Sequence, residues 1–171
     1  MLLQKETFKV RRTCRLCDSN KLKLILDMPS SQPVDNFRPA FDDDLKLESF
    51  EMSLFICNDC GHVQLLNVVD PNILYGNYIY ESSSSPDLRN HFLDYADYLF
   101  DKGYLKKGSK ILDVGSNDGL LLDFLKQRGA ITFGVDPAEK VSKISSNKGH
   151  AIFCEYLNQN LVKKIQASKT S

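Results

Sequence analysis

Two C-x-x-C pairs, Cys14 with Cys17 and Cys57 with Cys60, constrain this chain more than any other feature. Two cysteines separated by two residues can chelate one ion from a tight turn, and two such turns complete a tetrahedral shell of sulfur, the geometry of a closed structural zinc site. Iron in the same shell, or buried or redox-active thiols, are the alternatives, but a redox dithiol needs one pair and here there are two. Gly61, directly after the second pair, suits the positive backbone angle such turns often need. The stretch between Cys17 and Cys57 is well beyond the roughly 15 to 20 residues of a ribbon template, so it holds something more. Its segment from Met28 to Phe37 carries Pro29 and Pro33 and is not regular helix. The acidic run Asp42 to Asp44 reads as a solvated turn, and Glu51 to Ile56 as a short strand leading into the second pair. His62 adjoins a shell already filled by four thiolates, and the fifth cysteine, Cys154, is expected as a small buried hydrophobe.

Composition narrows the classes. Of 171 residues 42% are hydrophobic, as in a globular protein, and 22 basic residues balance 22 acidic ones. No net field favours polyanions, which speaks against nucleic acid or a membrane surface as partner. The first residues intersperse Lys5, Glu6, Lys9, Arg11 and Arg12 among apolar ones, unlike a signal peptide. No segment approaches the roughly 18 apolar residues that span a bilayer, and the chain reads as cytoplasmic.

After the tyrosines and serines of the segment from Asn77 to Ser85, Ser85-Pro86-Asp87 predicts a helix start, with serine as cap, proline in the first turn and an acid at the positive end of the dipole. The stripe Leu88, His91, Phe92, Tyr95, Ala96 and Leu99 predicts one packed face up to about Asp101, closed by Gly103. From Lys110 the pattern alternates: a strand at Ile111 to Val114, a helix from Asp118 to Arg128 closed by Gly129, and a strand at Ile131 to Val135. A helix opened by Pro137 and closed by Gly149 then leads to a third strand, Ala151 to Cys154. Such alternation implies a parallel sheet with right-handed crossovers.

The turn Gly115-Ser-Asn-Asp-Gly119 follows a strand and opens a helix, where backbone amides come against a ligand. Asn117 stands where the dinucleotide fingerprint has its second glycine, so the backbone is less suited to a pyrophosphate. S-adenosylmethionine brings a zwitterionic end and a ribose instead, and accepts such a turn with Asp113 and Asn117 nearby. Asp136 ends the second strand about 20 residues after Gly115, where an acid grips ribose hydroxyls. The candidate cofactor-binding residues are Asp113, Gly115, Ser116, Asn117, Gly119, Asp136 and Pro137.

The residues resemble the zinc-binding sugar C-methyltransferases that act on nucleotide-linked deoxysugars. The likeness rests on the first cysteine pair, on Pro33 and Asn36-Phe37, and on Cys57-Asn-Asp-Cys-Gly-His-Val-Gln-Leu65. It continues through Tyr78-Ile-Tyr-Glu-Ser-Ser-Ser-Ser85, His91, Leu112-Asp-Val-Gly-Ser-Asn-Asp-Gly119 and Gly134-Val-Asp-Pro-Ala138. It implies an α/β fold: a small loop-rich zinc-binding domain (residues 1–75), a hinge and connecting helix (76–107), and a partial Rossmann-like, class I methyltransferase parallel sheet (108–171). It implies that Gly115, Asn117 and Asp136 contact S-adenosylmethionine, and that Tyr78, Tyr80, Ser82, Ser83 and Ser85 face the substrate cleft. Plain packing is the other reading of the tyrosines. In the family a base from later in the chain removes a proton next to a sugar ketone, and the enolate carbon attacks the sulfonium methyl.

The stretch from Gly108 to Ser171 is short for a seven-stranded cofactor domain. The expectation is therefore a fragment, a truncated product, or a fold completed by a second chain, inactive by itself and prone to pair through the free edge of its first strand. Were it active alone, His91 or Tyr80 would be the first candidates for the base. The competing function is a non-catalytic zinc-containing module that binds S-adenosylmethionine or a sugar nucleotide without chemistry. A nucleic-acid ribbon lacks the charge, and a nicotinamide oxidoreductase lacks the second glycine.

Overall fold

The computed structural model describes residues 7–33, 49–76 and 78–167. The acidic run at 42–44 and the Asn36-Phe37 part of the proline loop lie outside the described residues. The chain divides into two compact units, Met1–Leu74 and Tyr75–Ser171, so the hinge and connecting helix go with the second.

In the first unit, β2 (Leu22–Leu26), β3 (Leu54–Cys57) and β4 (Val63–Leu65) form an antiparallel sheet in that order. A second ribbon pairs β1 (Phe8–Val10) with β5 (Asn67–Val69), and α1 (Pro71–Tyr75) follows. The strand expected at Glu51 to Ile56 starts only at Leu54, because Ser53 is buried and spends its hydroxyl on Asp27 Oδ1 (3.0 Å) while accepting from the Met28 amide (3.2 Å). Among the described residues the buried hydrophobic side chains of this unit are Cys14, Phe50 and Cys57, with Phe8 set edge-on against Phe50 at 5.4 Å between ring centres. An apolar core this small needs another source of stability.

The second unit opens with a 3-10 turn, Ser82–Ser84, and α2 (Pro86–Asp101). Ser85 caps α2 by accepting from the Leu88 amide at 3.3 Å, with Pro86 in the first turn, and Gly103 adopts a left-handed φ of 72° just past its end. Three parallel strands follow, β6 (Lys110–Val114), β7 (Ile131–Val135) and β8 (Ala151–Phe153), hydrogen-bonded in the order β6-β7-β8 and joined by α3 (Leu120–Gln127) and α4 (Glu139–Asn147). A last helix, α5 (Gln159–Ala167), was not foreseen from the sequence. Among the described residues β6 is an edge strand, and Leu112 and Val114 stand exposed on it.

Phe92, Ala96, Leu99 and Phe100 of α2 pack with Leu120, Phe124 and Leu125 of α3 and with Ala130. His91 and Tyr95, which the periodicity placed in that face, are exposed and stack on each other instead, their rings nearly coplanar in orientation (1°) and 6.3 Å apart. The packed face is thus narrower than the full stripe. Three other expectations are corrected. The second helix starts at Leu120, because Asn117 and Gly119 both take left-handed φ values (49° and 80°). The third helix starts at Glu139 and not at Pro137, because Ala138 is still extended (φ −80°, ψ 113°), its amide held by Asp136 Oδ1 at 2.9 Å. Cys154 is exposed, lying one residue beyond the end of β8.

Candidate functional site

The four cysteines converge. Cys14, Cys17, Cys57 and Cys60 place their sulfurs within 4.8 Å of one another, with Cys14 and Cys57 buried and Cys17 and Cys60 exposed. Cys14 Sγ is 3.6 Å from Cys60 Sγ, and Cys17 Sγ is 3.6 Å from Cys57 Sγ. Four sulfurs at about 2.3 Å from one zinc stand about 3.8 Å apart, so the cluster fits a tetrahedral ion.

The two turns are built alike. The Asp18 amide donates to Cys14 O (3.1 Å) and the Gly61 amide to Cys57 O (2.8 Å), while Cys14 and Cys57 amides donate to Ser19 O and His62 O. The residue after each pair has a positive φ, 75° at Gly61 and 57° at Asp18. The sequence flags the glycine but not the aspartate, a residue type that tolerates this conformation more readily than most. Gln64, buried on β4, was also missed: its Oε1 accepts from the Arg15 amide (2.7 Å) and its Nε2 donates to Thr13 O (3.2 Å), clasping the backbone on both sides of Cys14. Asp59 accepts from Ser19 Oγ (2.7 Å) and pairs with Lys21 Nζ (3.0 Å), tying one turn to the other.

Ionisation in the cluster is uneven. Burial opposes it at Cys57, but the amides of Cys60 and Asp59 and the adjoining thiols bring that pKa down to about 6. The Ser19 amide pulls Cys17 the same way, yet the crowding of the Cys60, Cys57 and Cys14 sulfurs, with burial, pushes it up to about 12. One thiolate suppresses the next, and a divalent cation is what allows all four to ionise together.

The candidate cofactor turn lies at the ends of β6 and β7. Asp136 is buried, its Oδ2 accepting from the Asn117 amide and its Oδ1 from the Ala138 amide, both at 2.9 Å. A carboxylate has about four acceptor sites, so two engaged amides leave capacity for hydroxyl donors. Gly115 sits exposed at φ 80°, and Ser116 Oγ is buried without a partner among the described residues. A side chain at Gly134 would collide with that Ser116 hydroxyl and come within 2.6 Å of Ile152 Cδ1, so β7 needs a bare Cα there. The amides of residues 115–119 are all engaged within the protein, so the turn offers no open amide cradle for a phosphate, while a buried acid with acceptor capacity left and an unspent hydroxyl fit the hydroxyl-rich, phosphate-free part of S-adenosylmethionine.

Burial, and then the negative charge of Asp136, hold the Asp113 carboxyl above its usual range. The native state therefore binds this proton more tightly than the unfolded chain does. Its contribution to stability is present in acid and is lost as pH rises through the raised value. Asp113→Asn is expected to melt at a higher temperature than the parent at about pH 7.5, with the difference shrinking toward about pH 5. Equal melting curves at both pH values would show that Asp113 carries no such penalty.

The other candidates are placed as follows. Tyr78 and Tyr80 lie edge to face with centres 6.4 Å apart, Ser85 serves as the α2 cap, and Ser82 and Ser83 offer their amides toward the turn. Pro137 bridges Asp136 and α4, and Gly119 opens α3 against Ser145. Both polar atoms of the Asn117 side chain are already engaged within the protein, as are those of the unforeseen residue His150, which is buried between Thr132 Oγ1 (2.8 Å) and Asp123 Oδ1 (2.9 Å).

A four-cysteine unit able to hold a tetrahedral zinc ion is followed by a partial Rossmann-like parallel sheet with an acid at the end of its second strand. The comparisons specify the relatives. Residues 14–75 match the Methyltransf_13 zinc-binding domain, and residues 95–168 match MetW, a methionine biosynthesis protein. The chain is 26% identical over 136 residues to the C-methyltransferase NovU of Streptomyces niveus, which covers 80% of this chain and 32% of NovU. It therefore spans about a third of the length of that curated relative. The first match covers the four-cysteine unit and the second the parallel sheet, each over less than half of the chain. No helix among the described residues is long and apolar enough to cross a membrane.

Proposed function

We propose that this chain forms the zinc-binding and cofactor-binding part of an S-adenosylmethionine-dependent C-methyltransferase whose substrate is a nucleotide-linked keto-deoxysugar or a related natural product. The observation that carries the reading is Asp136, a buried carboxylate at the end of β7 whose oxygens brace the glycine turn and keep acceptor capacity for ribose hydroxyls. When bound, the cofactor supplies an electrophilic sulfonium methyl. In this reading Gly115, Ser116 and Asp136 hold it, and the tyrosines of the 78–80 segment face the substrate. The likeness to a C-methyltransferase supports carbon as the acceptor atom. The zinc has no chemical step, since four protein sulfurs leave it no open position. His91 stacks on Tyr95 at the surface of α2, which does not favour it as the base.

Isothermal titration of the zinc-loaded chain with S-adenosylmethionine is expected to give one site per chain, and titration with nicotinamide dinucleotides none. Binding of a nicotinamide dinucleotide in preference to S-adenosylmethionine, or no binding of S-adenosylmethionine at all, would overturn the reading.

A further inference from the structure

The segment from Tyr80 to Ser83 is tied to the glycine turn by contacts that local structure does not require. Asn117 Oδ1 accepts from the Ser82 amide at 2.9 Å, and Asn117 Nδ2 donates to Tyr80 O at 2.9 Å. Beside them Asp118 Oδ2 accepts from the Ser83 amide at 3.2 Å, and Lys140 Nζ on α4 pairs with Glu81 Oε1 at 3.0 Å. Three of the four ties come from the 115–119 turn and the fourth from the first turn of α4, and all land on four consecutive residues. The Asn117 side chain also steadies its own turn, its Oδ1 taking the Asp118 amide at 2.8 Å.

The backbone explains why this residue can reach. Asn117 has φ 49°, a left-handed conformation that asparagine adopts more readily than most residues. Glycine, as in the dinucleotide fingerprint, would adopt that conformation with less strain but has no side chain to hold anything. The departure from the fingerprint is thus what fastens the strap. Asn117 also donates its amide to Asp136 Oδ2, so a single residue joins the acid expected to bind the cofactor ribose to the backbone of Tyr80 and Ser82.

We propose that Asn117 is a positioning residue that clamps the Tyr80–Ser83 strap to the cofactor turn and so couples cofactor binding at Asp136 to the ordering of the tyrosine-bearing, substrate-facing segment. The inference rests on the proposed cofactor reading. By linkage, a ligand that steadies the turn also steadies the strap, and a ligand that orders the strap tightens the cofactor by the same factor.

Amide hydrogen exchange at Ser82 and Ser83 tests it, measured on the zinc-loaded chain with and without S-adenosylmethionine. In the parent the cofactor is expected to slow both amides. Asn117→Gly keeps the left-handed turn and removes the clamp together with the Oδ1 acceptor of the Asp118 amide. It should speed Ser82 exchange about tenfold without ligand, the loss of about one hydrogen bond, and abolish the cofactor-induced slowing while cofactor still binds. Asn117→Asp restores an acceptor for the Ser82 amide and should recover part of the Ser82 protection, an effect that a general loosening of the fold would not produce. Normal cofactor binding with the same Ser82 response in Asn117→Gly and the parent would overturn the coupling alone. A parent chain that binds no S-adenosylmethionine would overturn the cofactor reading and the coupling together, and would be recognised by the titration before any exchange is measured.

Discussion

Removing the metal from the reduced chain will unfold the first unit and leave the parallel sheet of the second intact. Among the described residues the buried hydrophobics of the first unit are Cys14, Phe50 and Cys57, and two of these three are members of the cluster. Meanwhile Leu24, Ile25, Leu26 and Met28 stand exposed, so little apolar burial offsets the entropy of ordering the chain. Metal binding is the term that remains, and structural zinc contributes about 10 to 16 kcal/mol in small zinc peptides near neutral pH. One zinc per chain is expected by elemental analysis. A chelator should abolish hydrogen-exchange protection in β2, β3 and β4 while β6, β7 and β8 keep theirs. Stoichiometric absence of metal from freshly purified reduced protein, or full protection of β3 after chelation, would show that the sulfurs do not hold this unit together. Cys57→Ser should behave like the chelated chain, since a serine hydroxyl is a poor replacement for a thiolate at zinc.

Asp136→Ala is expected to do more than weaken a ligand. The carboxylate satisfies the amides of Asn117 and Ala138, and each hydrogen bond to a charged group contributes about 1.5 to 3 kcal/mol. Both amides would lose their partner in a buried site, so a stability loss of about 3 to 5 kcal/mol follows, with loss of measurable S-adenosylmethionine affinity. Asp136→Asn keeps one carbonyl acceptor, so one of the two amides keeps its partner while the other faces an NH2 donor, and the stability loss is expected to be about half as large. It should retain most of the fold, while cofactor affinity falls about tenfold or more as one ribose acceptor becomes a donor. Thermal denaturation and calorimetry on both variants check this. An Asp136→Ala chain as stable as the parent would mean that the two amides find other acceptors, and unchanged affinity in Asp136→Asn would remove Asp136 from the cofactor site.

Much of the architecture was legible in the sequence because it depends on local signals. The cysteine spacing, Ser85-Pro86, and the alternation of short apolar runs with glycine-closed helices each depend on a few neighbouring residues. Strand Ile131–Val135 and the cap at Ser85 appear where those signals put them. Element edges went astray where a distant or structural demand competed. Pro137 is a residue type suited to a first helical turn, yet Ala138 after it is extended (φ −80°, ψ 113°) with its amide held by Asp136. His91 and Tyr95 have the right periodicity for the core, but α3 covers only the narrower stripe through Phe92, Ala96 and Leu99.

The candidate site divides in the same way. Identity and spacing alone named the four sulfur ligands, the glycine turn and the acid after the second strand, because a chelating turn or a strand-end acid is written in adjacent residues. What Asn117 and Gln64 do was decided only by the tertiary structure. Asn117 reaches a segment 37 residues away in one hydrogen bond, and Gln64 clasps a turn 51 residues away in another. An amide side chain reads the same in any sequence, and its partners exist only once folding has brought remote backbone within hydrogen-bonding distance.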